Sequence, residues 1–198
     1  MNEIYSILDF LKIIVEENYY LSIFLFFIFL TVYNALSVPG SIIFMASTGY
    51  FLGIYIGFLI SLLSIVLGSL IFFLVSKFFL KKIFPKIYFK YSNKITKYIS
   101  NSSFEYLIIF RMIPGPPLML QNFCLSVLNI NIYKFILSSI IGFSPIVFIT
   151  TYFGNKLNSV EKLKEIKISQ ILSLDFLIFL ALLFILLLLR IIYKNKKN

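Results

Sequence analysis

The chain has 198 residues, 60% of them apolar and only 13% charged; a soluble domain is nearer half apolar and about a quarter charged, so an ordinary soluble fold is excluded and an integral membrane protein indicated. The net charge of +10 does not imply a nucleic-acid partner, because the lysines lie between apolar runs, where bases set topology and meet anionic lipid. With no histidine and one cysteine, Cys124, an internal disulfide framework, a Cys/His metal site and a His-based catalytic triad are excluded, and no metal or other cofactor is expected.

Residues 1–18 read as amphipathic. Ile4, Ile7, Leu8, Leu11 and Ile14 recur at helical spacing, with Glu3, Asp9, Lys12 and Glu16 elsewhere. This suits a helix lying in the membrane interface or a polar lead-in to the first span. The segment lacks a basic start and a small-residue cleavage site, so a cleaved signal peptide is not expected. Tyr20 to Leu36 is an apolar run close to the minimum spanning length. Residues 37–53, SVPGSIIFMASTGYFLG, are broken by Pro39 and Gly40 and loosened by Gly49 and Gly53. Too short to span comfortably, they read as a re-entrant hairpin, with a full span following to residue 76.

Residues 77–103 form a basic interfacial stretch holding Lys77, Lys81, Lys82, Lys86, Lys90, Lys94 and Lys97 and no acid. Lys82, Lys86, Lys90 and Lys94 would line one face of a helix resting on the headgroups. A second broken apolar segment covers 104–128 and a span covers 132–153, together 104–153. A polar loop, 154–170, leads to a last span at 171–189 and a basic tail at 191–198. The fold class is therefore an all-α integral membrane protein, a multi-span helical bundle with two inverted re-entrant hairpins, in which 19–190 form the transmembrane domain. If both broken segments turn back, Lys12, the seven lysines, Arg190, Lys194, Lys196 and Lys197 share a side against Lys156, Lys162, Lys164 and Lys167. Both termini would then be cytoplasmic. If both segments span, the seven lysines and the tail still outnumber the other side, so charge alone barely separates the two arrangements.

The broken segments resemble each other. VPGS at 38–41 and IPGP at 113–116 are each followed at nearly equal distance by a glycine in the next span, Gly68 and Gly142. Inverted repeats with discontinuous helices are a common way to build a membrane transport site.

The stretch FRMIPGPPLMLQN, 110–122, carries the chemistry. Pro114, Pro116 and Pro117 cannot sit inside a regular helix. Backbone groups they free are tolerated in a membrane only when buried in protein or facing a watery cavity. Proline suits a first helical turn, so a half-helix is expected from about Pro116 to Leu128. Its amide-rich N-terminus would point into the membrane, and a half-helix after Pro39 would do the same from the other side. Arg111 adds a full charge that needs a carboxylate, carbonyls, water or a lipid phosphate as partner. Arginine and helix N-termini together favour phosphate oxygens, with Gln121 and Asn122 near enough to assist. The alternative is an arginine snorkelling to the interface, with the prolines shaping a bend. Glu105 could pair with Arg111 or mark the interface, and Asp175 is expected at a membrane boundary. Gly49, Gly53 and Gly57 form a G-x-x-x-G-x-x-x-G ridge suited to close helix packing.

These residues resemble the VTT-domain superfamily, also called SNARE-associated Golgi proteins, of which the DedA proteins are one branch and the Golgi-vesicle membrane proteins a closer match. The likeness rests on Arg111, Pro114, Pro117 and Asn122, on Phe135, Gly142, Pro145 and Gly154, and on Pro39, Gly40, Gly49, Gly53, Gly57 and Gly68. It covers roughly residues 37–155. The chain departs from the family pattern at Lys77, where arginine is usual, and at Ser126, where glycine is usual. Residues 18–104 contain no Asp or Glu, which weakens any analogy with proton-coupled members. The resemblance implies two facing re-entrant hairpins and movement of lipids or lipid-linked phosphates between leaflets. The expected function is a flippase or scramblase of the cell membrane acting on membrane lipids with anionic headgroups, not an enzyme. Substrate contacts are expected at Arg111, Pro114, Pro117, Asn122, Pro39 and Gly40, and structural roles at the glycines. A small-solute or ion transporter and a non-transporting membrane-assembly scaffold are the alternatives.

Overall fold

The computed structural model describes residues 2–83, 85, 104–112, 117–127 and 130–159. The last span at 171–189, the basic tail, Asp175, Pro114, Pro116 and most of the basic stretch lie outside them. The described elements are all helices: α1 (Asn2–Glu17), α2 (Tyr19–Ala35), α3 (Ser41–Ile83), α4 (Phe104–Met112), α5 (Leu118–Val127) and α6 (Ile132–Ser159).

The chain is inside out relative to a soluble protein. Phe24, Phe29, Leu59, Leu63, Leu67 and Leu74 are exposed, while Thr48, Ser61, Ser64, Ser138, Ser139 and Thr151 are buried. That distribution fits hydrocarbon as the solvent, where small hydroxyl residues let helices approach and the apolar side chains face lipid. Most of the buried hydroxyls are internally satisfied. Ser139 donates to the Phe135 carbonyl at 2.7 Å and Thr151 to the Val147 carbonyl at 2.9 Å. Pro145 sits inside α6 and cannot supply an amide to the Ile141 carbonyl. The Ser144 hydroxyl fills the gap, donating to that oxygen at 2.9 Å.

Although α3 runs as one helical stretch from Ser41 to Ile83, Gly53 interrupts it with φ 78° and ψ 172°, a conformation glycine adopts without a Cβ penalty. In a straight helix Thr48 and Ser61 would be about 20 Å apart; here their hydroxyls are hydrogen-bonded at 2.7 Å. Gly57 lies against the Thr48 backbone, leaving no room for a Cβ. Residues 41–52 therefore fold back along 54–83. The same arm packs antiparallel on α2, with Phe44 against Phe29 at 5.0 Å and Tyr33 at 4.8 Å, and Phe51 against Phe26 at 6.1 Å. The tip joining them, 36–40, has Ser37 at φ 52° and Gly40 at φ 99°. Tyr33 ties it down by donating its hydroxyl to the Pro39 carbonyl at 2.6 Å.

This differs from the expected layout in three respects. First, α2 is no separate span followed by a hairpin: it is the leg before the tip, and 41–52 is the leg after it. Second, the start of α2 and the Lys77 end of α3 lie at opposite ends of the described bundle. Tyr19 reaches the Leu52 carbonyl beside the Gly53 turn, whereas Lys77 to Ile83 end α3 at the opposite extremity. Those residues simply prolong the span, and α6 likewise continues to Ser159 through what reads in sequence as the start of a loop. Third, Gly49, Gly53 and Gly57 do not form one ridge. Gly49 packs on the Thr151 backbone and Gly57 on Thr48, but Gly53 is the turn and meets nothing within 4 Å.

Among the described residues, two helices are long and apolar enough to cross a membrane, Ser41–Phe79 and Ile132–Leu157, or three when the pair Phe10–Glu17 and Tyr19–Ala35, bent by 107°, counts as one. Because Ser41–Phe79 includes the folded-back arm, its crossing part is 54–79. This part and α6 run antiparallel, Phe58 meeting Phe148 and Phe73 meeting Phe135. Leu107 and Leu125 join the Phe73–Phe135 cluster, so α4 and α5 descend and return from the Lys77 end. The two hairpins thus point at each other from opposite ends. α1 leaves Ile7, Phe10, Leu11, Ile13 and Ile14 exposed, the pattern expected of a helix that lies on apolar material.

Candidate functional site

The site forms where the tips meet. Arg111, in the last turn of α4, is 2% exposed. α4 approaches α6 this closely because Gly142 has no side chain: a Cβ there would strike the Arg111 stem and lie 3.0 Å from the Ile108 carbonyl. Gly68 does the same for the first hairpin, where a Cβ would lie 2.6 Å from the Asn34 Cβ and 2.7 Å from the Thr31 carbonyl. Each long helix therefore offers a glycine to the last turn before its own tip.

Two ring faces hold the guanidinium. Its central carbon lies 4.7 Å from the Phe135 centroid and 4.8 Å from that of Phe143, both rings being buried. Cation–π contacts of this kind contribute up to about 2 kcal/mol when desolvated, which offsets part of the cost of burying the charge. Arg111 Nη1 donates to Asn122 Oδ1 at 2.6 Å. Because guanidinium can only donate, that contact fixes the Asn122 amide, and its Nδ2 donates at 3.5 Å to Ser37 Oγ in the other hairpin. Ser37 in turn donates to the Asn34 carbonyl at 3.3 Å. A polar chain thus runs from the second hairpin's charge to the first hairpin's tip.

The remaining edge of the guanidinium is different. Among the described residues, Arg111 Nε and Nη2 have no hydrogen-bond partner. These two nitrogens form one side of the fork, the geometry that binds a phosphate or carboxylate through two parallel hydrogen bonds.

Of the residues expected at the site from sequence, Arg111 and Asn122 come together and are buried. Pro39 and Gly40 are exposed in the first tip, and Pro117 is exposed just before α5, its carbonyl accepting the Gln121 amide at 3.1 Å. Pro114 lies outside the described residues. The amide of Ile43 is already bonded to the Gly40 carbonyl at 3.0 Å, so not every first-turn donor of the arm is open. Glu105 and Gln121 are buried in the same hairpin. Three participants escape a reading of the sequence. Ser37 adopts a left-handed conformation that its residue type does not announce, and Phe135 and Phe143 look like ordinary core aromatics until α4 is placed between them.

A family model described as the VTT domain matches residues 38–156, from the first tip nearly to the end of α6. The chain is 24% identical over 180 residues to a protein of Dictyostelium discoideum described as "Transmembrane protein 41 homolog", an alignment covering 88% of this chain and 54% of that one. The chain therefore spans about half the length of this curated relative. No solved structure matches.

Proposed function

Because the chain belongs to the VTT-domain family, an integral membrane protein with its polar groups turned inward, we propose that it lets phospholipids or lipid-linked phosphates cross between the two leaflets. The meeting tips form the polar crossing point, and acyl tails remain in the bilayer beside the apolar outer surface. Arg111 holds the headgroup phosphate through its Nε–Nη2 edge. Asn122 orients the guanidinium by occupying Nη1, and Phe135 and Phe143 keep it flat and inside. Pro39, Gly40 and Pro117 shape the two mouths. The single observation that carries this reading is a buried guanidinium whose phosphate-matching edge has no partner among the described residues, at the junction of two opposed hairpins.

Residues 18–104 contain no Asp or Glu, so the first hairpin has no carboxylate to take up protons. The lysines that begin at Lys77 favour a cytoplasmic position for that end of α3.

The test uses purified protein in vesicles carrying tail-labelled probes. A phosphatidylglycerol probe should exchange between leaflets well above the protein-free rate, while a glucosylceramide probe, which has no phosphate, should not. Equal exchange of both probes, or of neither, overturns the reading.

A further inference from the structure

We infer that Lys77 is a second anion-binding station, which receives the headgroup phosphate of an anionic phospholipid at the membrane boundary and delivers it to Arg111. The inference rests on the lipid-exchange reading above.

The observation is a continuous stack linking the two cations. Lys77 Nζ lies 5.5 Å from the Phe73 centroid, one turn back on α3. Phe73 packs on Phe135 with centroids 4.4 Å apart and the rings tilted by 32°. Phe135 is one of the two rings that hold Arg111. Both phenylalanines are fully buried, while Lys77 is only partly so. Lys82, further along α3, is exposed over Phe78 and does not join this pair of rings.

The distances fit a two-step path. Gly68 marks the level of the first tip, because it packs on residues 31–35. Lys77 lies about 13 Å further along α3, at about 1.5 Å per residue. Half the hydrocarbon core of a bilayer is about 15 Å. With the tips near the midplane, Lys77 stands where hydrocarbon gives way to headgroups, with a flexible stem and a compact charge that suit transient capture. Arg111, pinned by two rings and one amide, is the fixed receiver. Between them the ring stack presents π faces to both cations, so neither is bare when no phosphate is present.

The experiment follows exchange of tail-labelled phosphatidylglycerol and phosphatidylcholine in vesicles holding the full chain or its K77Q, K77R and R111A variants, each first checked for a single monodisperse peak. K77Q should slow phosphatidylglycerol exchange about five-fold, the effect of one basic residue on an anionic headgroup, and phosphatidylcholine exchange less. K77R should retain the original rates. Wild-type phosphatidylglycerol exchange should also fall as salt rises, as screening of a partly exposed charge requires, and this dependence should flatten in K77Q. If K77Q aggregates, the K77R rates and the wild-type salt dependence decide alone, and a flat wild-type salt response overturns the inference. Unchanged rates in a well-behaved K77Q also overturn it, and loss of exchange in R111A beside them leaves the proposed function standing. Full exchange in R111A overturns the proposed function itself.

Discussion

The two hairpins share a frame but not a chemistry. In each, the last turn before the tip packs on a glycine of the following long helix, Gly68 for Asn34 and Gly142 for Arg111. At that equivalent place the first hairpin carries a neutral amide and the second a full charge. Much of the polar surface of the first is satisfied within itself: Tyr33 with Pro39, Ser37 with Asn34, and Thr48 with Met45, Gly57 and Ser61. The second buries Glu105, Arg111, Gln121 and Asn122, and the guanidinium keeps an edge without a described partner. A repeated geometry thus supplies two opposed half-helices, while only one needs the charge. On the proposed function, the first acts as a counter-face and the second meets the anion.

If this division is right, changes in the first hairpin cost folding and changes in the second cost exchange. The largest effect is expected from Gly49→Leu. Its side chain would enter the Thr151 backbone, and overpacking of this severity costs at least about 3 kcal/mol. The variant should aggregate on extraction, as size-exclusion chromatography would show. Next comes Asn122→Ala, which leaves Arg111 Nη1 without its oxygen. Losing a hydrogen bond to a charged group costs about 1.5–3 kcal/mol, so thermal unfolding in detergent should move down while the protein stays monodisperse. Phosphatidylglycerol exchange should fall at the same time, because the two rings alone do not fix the direction of the fork. The smallest effect is expected from Tyr33→Phe. It removes one partly exposed hydrogen bond, about 0.5–1.5 kcal/mol, and should leave exchange at the wild-type rate. A first-hairpin change that silences exchange in a stable protein would erase the distinction between the two.

Much of this was legible in the sequence, for physical reasons. Prolines and glycines in an apolar run have few places to go in a membrane, so the break at Pro39–Gly40 announced the first tip. The start of α5 at Leu118 lies close to the proline expected to open it, but the bond between Arg111 and Asn122 was not legible, because an arginine's need for a partner is met equally by a carboxylate, carbonyls, water or a phosphate. The role of α2 was not legible, because a largely apolar stretch of 17 residues has the same composition whether it crosses alone or serves as one leg of a hairpin. Gly53 was equally silent. Its G-x-x-x-G spacing with Gly49 and Gly57 is that of a packing ridge, and only the positive φ shows it to be the turn that makes the other two face different partners. That reversal also carried the start of α2 to the end of the described bundle away from Lys77, which no count of lysines could settle. The ring pair around Arg111 depends on helix placement across long sequence separations, where local periodicity carries no information.

The most direct measurement is leaflet exchange of a labelled phospholipid in vesicles holding Arg111→Ala, with helicity and monodispersity confirmed beforehand. Exchange should drop to the protein-free rate in a folded protein. A folded variant that exchanges lipid as fast as the wild type would contradict the claim that this one guanidinium, held where the hairpins meet, carries the phosphate across.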